Sequence, residues 1–314
     1  MTRVQEAAGS GTVAVHDPVV APLPPHDRAD DPRPVLVVGA SGKTGRAVTA
    51  ALVGRGVPVR AAVRPGRADG GPSGSEPVTL DLVTGEGLEA ALAGVRAAYH
   101  LAPNVHPDEV GIARRVAEAA RGVGLPHLVF HSVLHPDDDR MPHHTRKLAA
   151  ESVLREGLPG GLVVLRPSAY HQNLLPQVLD GEVVLPYGAD APFTTVDLED
   201  VAEAAAVVLL DTAHAGEVHD LCGPEVLTTR RMVELATEVL GRGVRLREIG
   251  IDAWRNGPGA ALPVEARDVL AAMFTAYDDG GLVGDATALT TLLAATGRRP
   301  TTWARALTRT RIDQ

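Results

Sequence analysis

Val35-Leu36-Val37-Val38-Gly39-Ala40-Ser41-Gly42-Lys43-Thr44-Gly45 carries an aliphatic, β-branched run into three glycines at a three-residue spacing, where a helical pattern begins. Such a stretch predicts a strand, a tight turn and a helix that together cradle a dinucleotide pyrophosphate. The first glycine permits the turn, the second lets backbone approach the phosphates, and the third lets the helix pack close to the strand. The helix N-terminus adds unpaired N–H donors and a positive dipole end. Gly42-Lys43-Thr44 also spells the end of a nucleoside-triphosphate loop, but that motif needs a glycine at position 37, where Val37 stands inside the strand. Gly39, Ser41, Gly42, Lys43, Thr44 and Gly45 are therefore candidate cofactor-binding residues.

A helix over 46–52 ends at Gly54 and Gly56, and a second apolar strand follows over 57–63. The end of that strand selects the dinucleotide. An acid there holds the ribose 2′-hydroxyl of NAD, whereas a 2′-phosphate needs a cation. The chain offers Arg60, Arg64 and Arg67 and no acid before Asp69. Arg64, just past the strand and before Pro65, is best placed to fork onto a phosphate, so the expected cofactor is NADPH.

The chain has 314 residues, 45% of them hydrophobic and 22% charged, with a formal net charge of −9. An acidic chain with only 3 Phe, 4 Tyr and 2 Trp lacks both the cationic surface and the stacking platforms that nucleic acid requires. No apolar run is long enough to span a bilayer and no signal peptide is recognisable, so neither membrane nor export is expected. The lone cysteine, Cys222, fits a reducing, cytoplasmic location. Residues 1–33, rich in Ala, Pro, Asp and His, read as a disordered tail.

Further strands are expected over 78–82, 97–102, 128–132, 162–165, 193–196 and 217–221, alternating with helices from Pro107, over 143–156 and over 198–210. This alternation predicts an α/β fold, a doubly wound parallel Rossmann sheet. Beyond Cys222 the pattern turns to helices over 229–240, 264–277 and 285–296 with one strand over 244–248. The expected division is a dinucleotide-binding domain of 34–167 plus 193–223, and a smaller, mostly helical substrate domain of 168–192 plus 224–314. Tyr170 and Asn173 follow Arg166-Pro167-Ser168 at a strand's carboxyl end, a place for lining a substrate pocket. His127, His131 and His135 recur every four residues, but strand residues separate them and no metal site is expected.

The pieces resemble the NmrA-like group of atypical short-chain dehydrogenase/reductases, which includes NADPH-dependent quinone reductases and isoflavone-reductase-like enzymes. The resemblance covers roughly 34–305. It rests on the glycine turn and on Arg60-Ala61-Ala62-Val63-Arg64, Leu80-Asp81-Leu82, Lys147-Leu148-Ala149-Ala150-Glu151 and Leu165-Arg166-Pro167. Two further signatures, Val196-Asp197-Leu198-Glu199-Asp200-Val201-Ala202 and Leu221-Cys222-Gly223-Pro224-Glu225, complete it. The resemblance implies that Asp81 and Leu82 border the adenine and that Leu101, Ala102 and Pro103 pass beneath the cofactor ribose. It also implies that Lys147 hydrogen-bonds the nicotinamide ribose. Ser132 falls where the wider superfamily keeps a catalytic Ser, and His143 falls where it keeps a catalytic Tyr.

His143 and Lys147 are one helical turn apart and share a face, and the nearby ammonium favours the neutral imidazole. A hydride acceptor becomes an oxyanion that needs a proton, and a histidine titrating near neutrality can supply it. The expected function is therefore an NADPH-dependent reductase acting on a carbonyl, quinone or enone of a small apolar molecule. The alternative, motivated by the missing Tyr, is an NADP(H)-sensing regulatory protein without turnover. A homodimer is compatible with the sequence, which leaves the oligomeric state open.

Overall fold

The computed structural model describes residues 31–66 and 71–312. Most of the segment read as a tail, and Arg67, lie outside the described residues. Strand β1 (Val35–Val37) leads through the glycine turn into helix α1 (Lys43–Val53), followed by β2 (Val59–Val63) and β3 (Glu76–Thr79). Next come α2 (Leu88–Leu92), β4 (Ala97–His100), α3 (Glu109–Gly122), β5 (Leu128–His131), α4 (Pro142–Gly157) and β6 (Leu162–Pro167). A second stretch runs α5 (Leu175–Asp180), β7 (Glu182–Leu185), β8 (Pro192–Phe193), α6 (Leu198–Leu210) and β9 (Val218–Leu221). The chain closes with β10 (Leu227–Thr228), α7 (Thr229–Leu240), β11 (Arg245–Glu248), α8 (Ile251–Asn256), α9 (Val264–Gly280), α10 (Thr287–Ala294) and α11 (Trp303–Ile312).

Seven strands form one sheet in the order β3-β2-β1-β4-β5-β6-β9, and every pairing is parallel. Strand order reverses between β1 and β4, which is where a ligand crevice opens in such sheets. Both faces are covered, so the strands read as continuous apolar runs. Leu36, Ala98, Leu128 and Phe130 face a core shared with α2, α3 and α4. Val35, Val37, Ala97, Tyr99 and Val129 face the opposite core with α1 and α6. The two-residue period of the pleat assigns neighbours to opposite layers.

Helix α10 belongs to the second layer: its Leu289, Leu292 and Leu293 pack with the α1 and α6 residues under the sheet. The sequence division had placed it in the substrate domain, because an apolar helical stripe does not say which surface it covers. A separate core joins Leu175, Val178, Val183 and Leu185 to Met232, Val233, Ala236 and Trp303. Within it β7 pairs with β11 in parallel, tying the segment after β6 to the later helices. No helix among the described residues is long and apolar enough to cross a membrane.

Candidate functional site

The strands predicted over 97–102 and 128–132 stop at His100 and His131, so Leu101, Ala102, Pro103 and Ser132 lie in loops past the carboxyl edge. Asp81 likewise sits on a turn past β3, its Oδ1 accepting from the N–H groups of Val83 (2.7 Å) and Thr84 (3.2 Å). A cavity of about 1120 Å³ follows this edge. Its walls include Gly39, Ser41, Gly42, Lys43 and Thr44 at the glycine turn, Arg64, Asp81 and Leu82 to one side, and Leu101, Ala102 and Pro103 beneath. Ser132, His143, Lys147, Tyr170 and Asn173 line its other side.

Each glycine of the turn has a separate geometric reason. Gly39 holds φ +77°, a left-handed conformation that side chains resist. A Cβ on Gly45 would lie 2.6 Å from the Gly39 carbonyl carbon and 2.7 Å from Ala40 Cα, so only glycine lets α1 approach the strand. A Cβ on Gly42 would meet only the Gly39 oxygen, at 3.4 Å, and otherwise point into open space. Gly42 also leaves α1 without a side-chain cap. The first-turn N–H groups of Lys43, Thr44 and Gly45 therefore have no acceptor within the helix. Space, uncapped donors and dipole together fit a dinucleotide diphosphate.

Lys43 reaches across the cavity, its ammonium 2.5 Å from Asn173 Oδ1 and 5.3 Å from the Tyr170 ring centre. Partial burial lowers its pKa. Arg64 is exposed on the cavity rim and makes no ion pair with another described residue, leaving its guanidinium available. Arg60 is committed elsewhere, donating to the carbonyls of Ala91 (2.8 Å) and Ala93 (3.0 Å) at the end of α2.

Lys147 is 4% exposed, and its ammonium lies 2.5 Å from Glu109 Oε1 and 3.0 Å from the His131 carbonyl. Sequence reasoning missed Glu109, because an acid in the first turn of α3 looks like an ordinary dipole partner. His143 lies on the same helix face, its Nδ1 3.9 Å from Glu109 Oε2 and without a hydrogen bond. Burial, with the Lys147 charge adding to it, pushes the His143 pKa down to about 3. The expectation of a histidine titrating near neutrality is overturned: at pH 7 this imidazole is neutral.

Ser132 has a partner that the sequence did not show. Its hydroxyl donates to Glu151, whose carboxylate takes two further bonds from Arg166, at 3.0 Å and 2.6 Å. That hydroxyl has a buried partner, although Ser132 itself lines the cavity. His131 bridges two phenols, Tyr99 at Nδ1 and Tyr170 at Nε2, the latter at 2.8 Å. Tyr170 also hydrogen-bonds Thr44, so a chain of polar groups ties β4, β5 and the segment after β6 to the start of α1. A neutral imidazole donates to one phenol and accepts from the other, and burial lowers the His131 pKa to about 3. His127 and His135 turn to other partners, the carbonyls of Val208 and Val283.

The two later signatures prove to be anchors for the last helix. Asp197 pairs with Arg309 at 2.8 Å, Asp200 accepts from the Thr301 N–H, and Glu225 accepts from the Trp303 N–H at 2.9 Å. Beyond Lys147 the cavity walls become aromatic. Tyr187 packs against Phe193, Phe274 and Tyr277 with ring centres 5.6 to 5.8 Å apart, and Met273 and Leu282 complete this end.

A glycine turn on a seven-stranded parallel sheet, with the basic and acidic positions in these places, agrees with sequence comparison. The sequence profile of the NmrA-like family matches residues 32–304. The chain belongs to the NmrA-like family. Among its relatives is a (4-alkanoyl-5-oxo-2,5-dihydrofuran-3-yl)methyl phosphate reductase from Streptomyces griseus. It is 34% identical over 237 residues, which cover 73% of this chain and 82% of the relative. Quinone oxidoreductase 2 of Escherichia coli is 26% identical over 212 residues, 66% of this chain and 73% of that one.

Solved structures share the fold. An NADPH-dependent quinone oxidoreductase from Escherichia coli in complex with NADPH superposes with a TM-score of 0.74 at 23% identity, over 88% of this chain and 99% of that chain. A Citrobacter sp. triphenylmethane reductase complexed with NADP(H) gives 0.72 at 22% identity, over 88% and 99%.

Proposed function

We propose that this protein is an NADPH-dependent reductase that delivers hydride to a carbonyl, quinone or enone of a small, uncharged, largely apolar molecule. One observation carries the reading: a single cavity runs from the glycine turn and Arg64, past His143 and Lys147, into an aromatic end. The Streptomyces relative, named a reductase, and the Escherichia coli relative, named a quinone oxidoreductase, support the same reaction class.

NADPH would supply the hydride. Gly42 and the uncapped first turn of α1 would take its diphosphate, Arg64 its 2′-phosphate, and Asp81 and Leu82 would border the adenine. Leu101, Ala102 and Pro103 would pass below the ribose, and Lys147 would bond the ribose near the reacting end. The neutral His143 imidazole polarises the substrate oxygen through an N–H hydrogen bond, and the neighbouring Lys147 ammonium stabilises the charge that develops there. An imidazole with its pKa near 3 acts as a hydrogen-bond donor and is not the protonated acid, so the proton that completes the reduced product would come from solvent water. Tyr170 and Asn173 fix the position of Lys43 and shape the pocket wall between turn and substrate.

Lys43, Arg64 and Lys147 are the only Lys or Arg side chains among the described cavity-lining residues, and all lie on the cofactor side. The phosphate named in the Streptomyces relative's substrate would find no cation at the aromatic end. The proposed substrate domain, 168–192 plus 224–314 without helix α10, supplies that end through Tyr187, Met273, Phe274 and Tyr277. A cytoplasmic site of action fits the lone, buried Cys222.

The test is NADPH oxidation across a panel of quinones, cyclic ketones, enones and phosphorylated enones, with cofactor binding measured alongside. Turnover of uncharged apolar acceptors over phosphorylated ones supports the reading. Tight NADPH binding with no turnover across the panel transfers the weight to a cofactor-sensing protein.

A further inference from the structure

The sheet has a second feature at its other end, away from the cavity. His214, in the turn after α6, Glu217, just before β9, and His219, within it, bring one ligand atom each to within 4.8 Å of one another. Glu217 Oε2 lies 2.8 Å from His214 Nδ1 and 3.1 Å from His219 Nε2, so one carboxylate oxygen stands between two imidazole nitrogens. Ligands on a tetrahedral zinc ion at about 2.0–2.2 Å stand roughly 3.3 Å apart, so closing around an ion needs only small side-chain movements.

Two observations distinguish this cluster from an ordinary surface ion pair. His219 Nε2 is buried, and its 3.1 Å approach to Glu217 is poorly aligned for a hydrogen bond. The backbone is also fixed beforehand. The Glu217 N–H bonds the His214 carbonyl at 3.0 Å, the Gly216 N–H bonds the Leu162 carbonyl at 2.8 Å, and the Glu217 carbonyl takes the Val164 N–H at 3.0 Å. A turn closed on itself and pinned to β6 loses little entropy when its side chains converge.

We propose that His214 Nδ1, Glu217 Oε2 and His219 Nε2 form a site for a divalent transition metal, zinc by its donor set, with water in a fourth position. The ion would tie the turn after α6 to β9, the edge strand of the sheet. It would act apart from the reductase site, since none of the three residues lines the cavity.

The test is calorimetric titration of Zn²⁺ into the full-length, metal-free, untagged protein, repeated with His214→Ala, His219→Ala and Glu217→Gln. One zinc per chain is expected for the unaltered protein, with a thermal midpoint that rises with zinc concentration. Each histidine variant should lose at least about tenfold in affinity, while NADPH binding stays unchanged and reports an intact fold. Glu217→Gln keeps the size of the side chain, so its loss of affinity reads the carboxylate alone. Absence of saturable binding, or affinity unchanged in the histidine variants, overturns the site.

Discussion

Lys147 and Glu109 form a nearly sealed ion pair between α4 and α3, with 2.5 Å between ammonium and carboxylate and exposures of 4% and 1%. Removing one partner leaves the other charge buried and uncompensated. Glu109→Ala should therefore cost about 3–5 kcal/mol in urea unfolding, whereas Glu109→Leu with Lys147→Met should recover much of that. The double variant should remain slow in turnover, because the charge beside His143 is gone. A Glu109→Ala protein of unaltered stability would contradict the pairing.

The second and third glycines should separate folding from binding. Gly42→Val has room for its side chain in the protein and should keep a near-normal melting temperature while losing at least about tenfold in NADPH affinity. Gly45→Ala drives a methyl into the backbone of Gly39 and Ala40 and should cost about 1–3 kcal/mol or more. Thermal melts and fluorescence titration with NADPH read both. Normal affinity in a folded Gly42→Val protein would remove the diphosphate from this turn.

With its pKa near 3, only about one His143 in ten thousand is protonated at pH 7. The maximal rate should therefore stay level from about pH 5 to 8, with no fall centred near the ordinary histidine value of about 6.5. His143→Ala should lower it about a hundredfold through loss of the oxyanion donor. A decline with a midpoint near neutrality that disappears in His143→Ala would restore the imidazolium as the acid.

Acid stability follows from the same burial. His100, stacked 5.4 Å from Phe130 with neither ring nitrogen hydrogen-bonded, has its pKa pushed down to about 3, chiefly by desolvation. Because the folded value lies below the unfolded one, its contribution is complete above about pH 6.5. It is lost as pH falls toward 3, at up to about 1.4 kcal/mol per pH unit. His100→Phe should flatten the loss between about pH 7 and 5 in urea titrations, and an unchanged slope would place His100 in a wetter setting.

Periodicity made the parallel sheet legible because strands buried on both faces leave unbroken aliphatic runs, and α6 and α7 begin and end where the sequence placed them. Short elements were not legible. Five- and six-residue helices such as α2 and α5 give too few turns for a periodic signal, and α10 showed its stripe but not the surface it covers. At the site, the glycine spacing exposed the phosphate cradle because each glycine answers a local demand of the backbone. The roles of Glu109, Glu151 and Tyr99 stayed hidden, since each acts on partners at least 15 residues away. The Lys147 charge that helps neutralise His143 was legible one helical turn away, whereas the burial that contributes most arises only in the folded chain.

The central claim is that the cavity holds NADPH, by Arg64 at its 2′-phosphate, for hydride delivery. The most direct measurement is kcat/KM for NADPH and for NADH with one accepted quinone or enone, in the unaltered protein and in Arg64→Ala. The account predicts at least about a tenfold preference for NADPH, about 1.4 kcal/mol, and a ratio near unity in the variant with the NADH value little changed. Equal use of both cofactors by the unaltered protein, or a preference that survives Arg64→Ala, would contradict it.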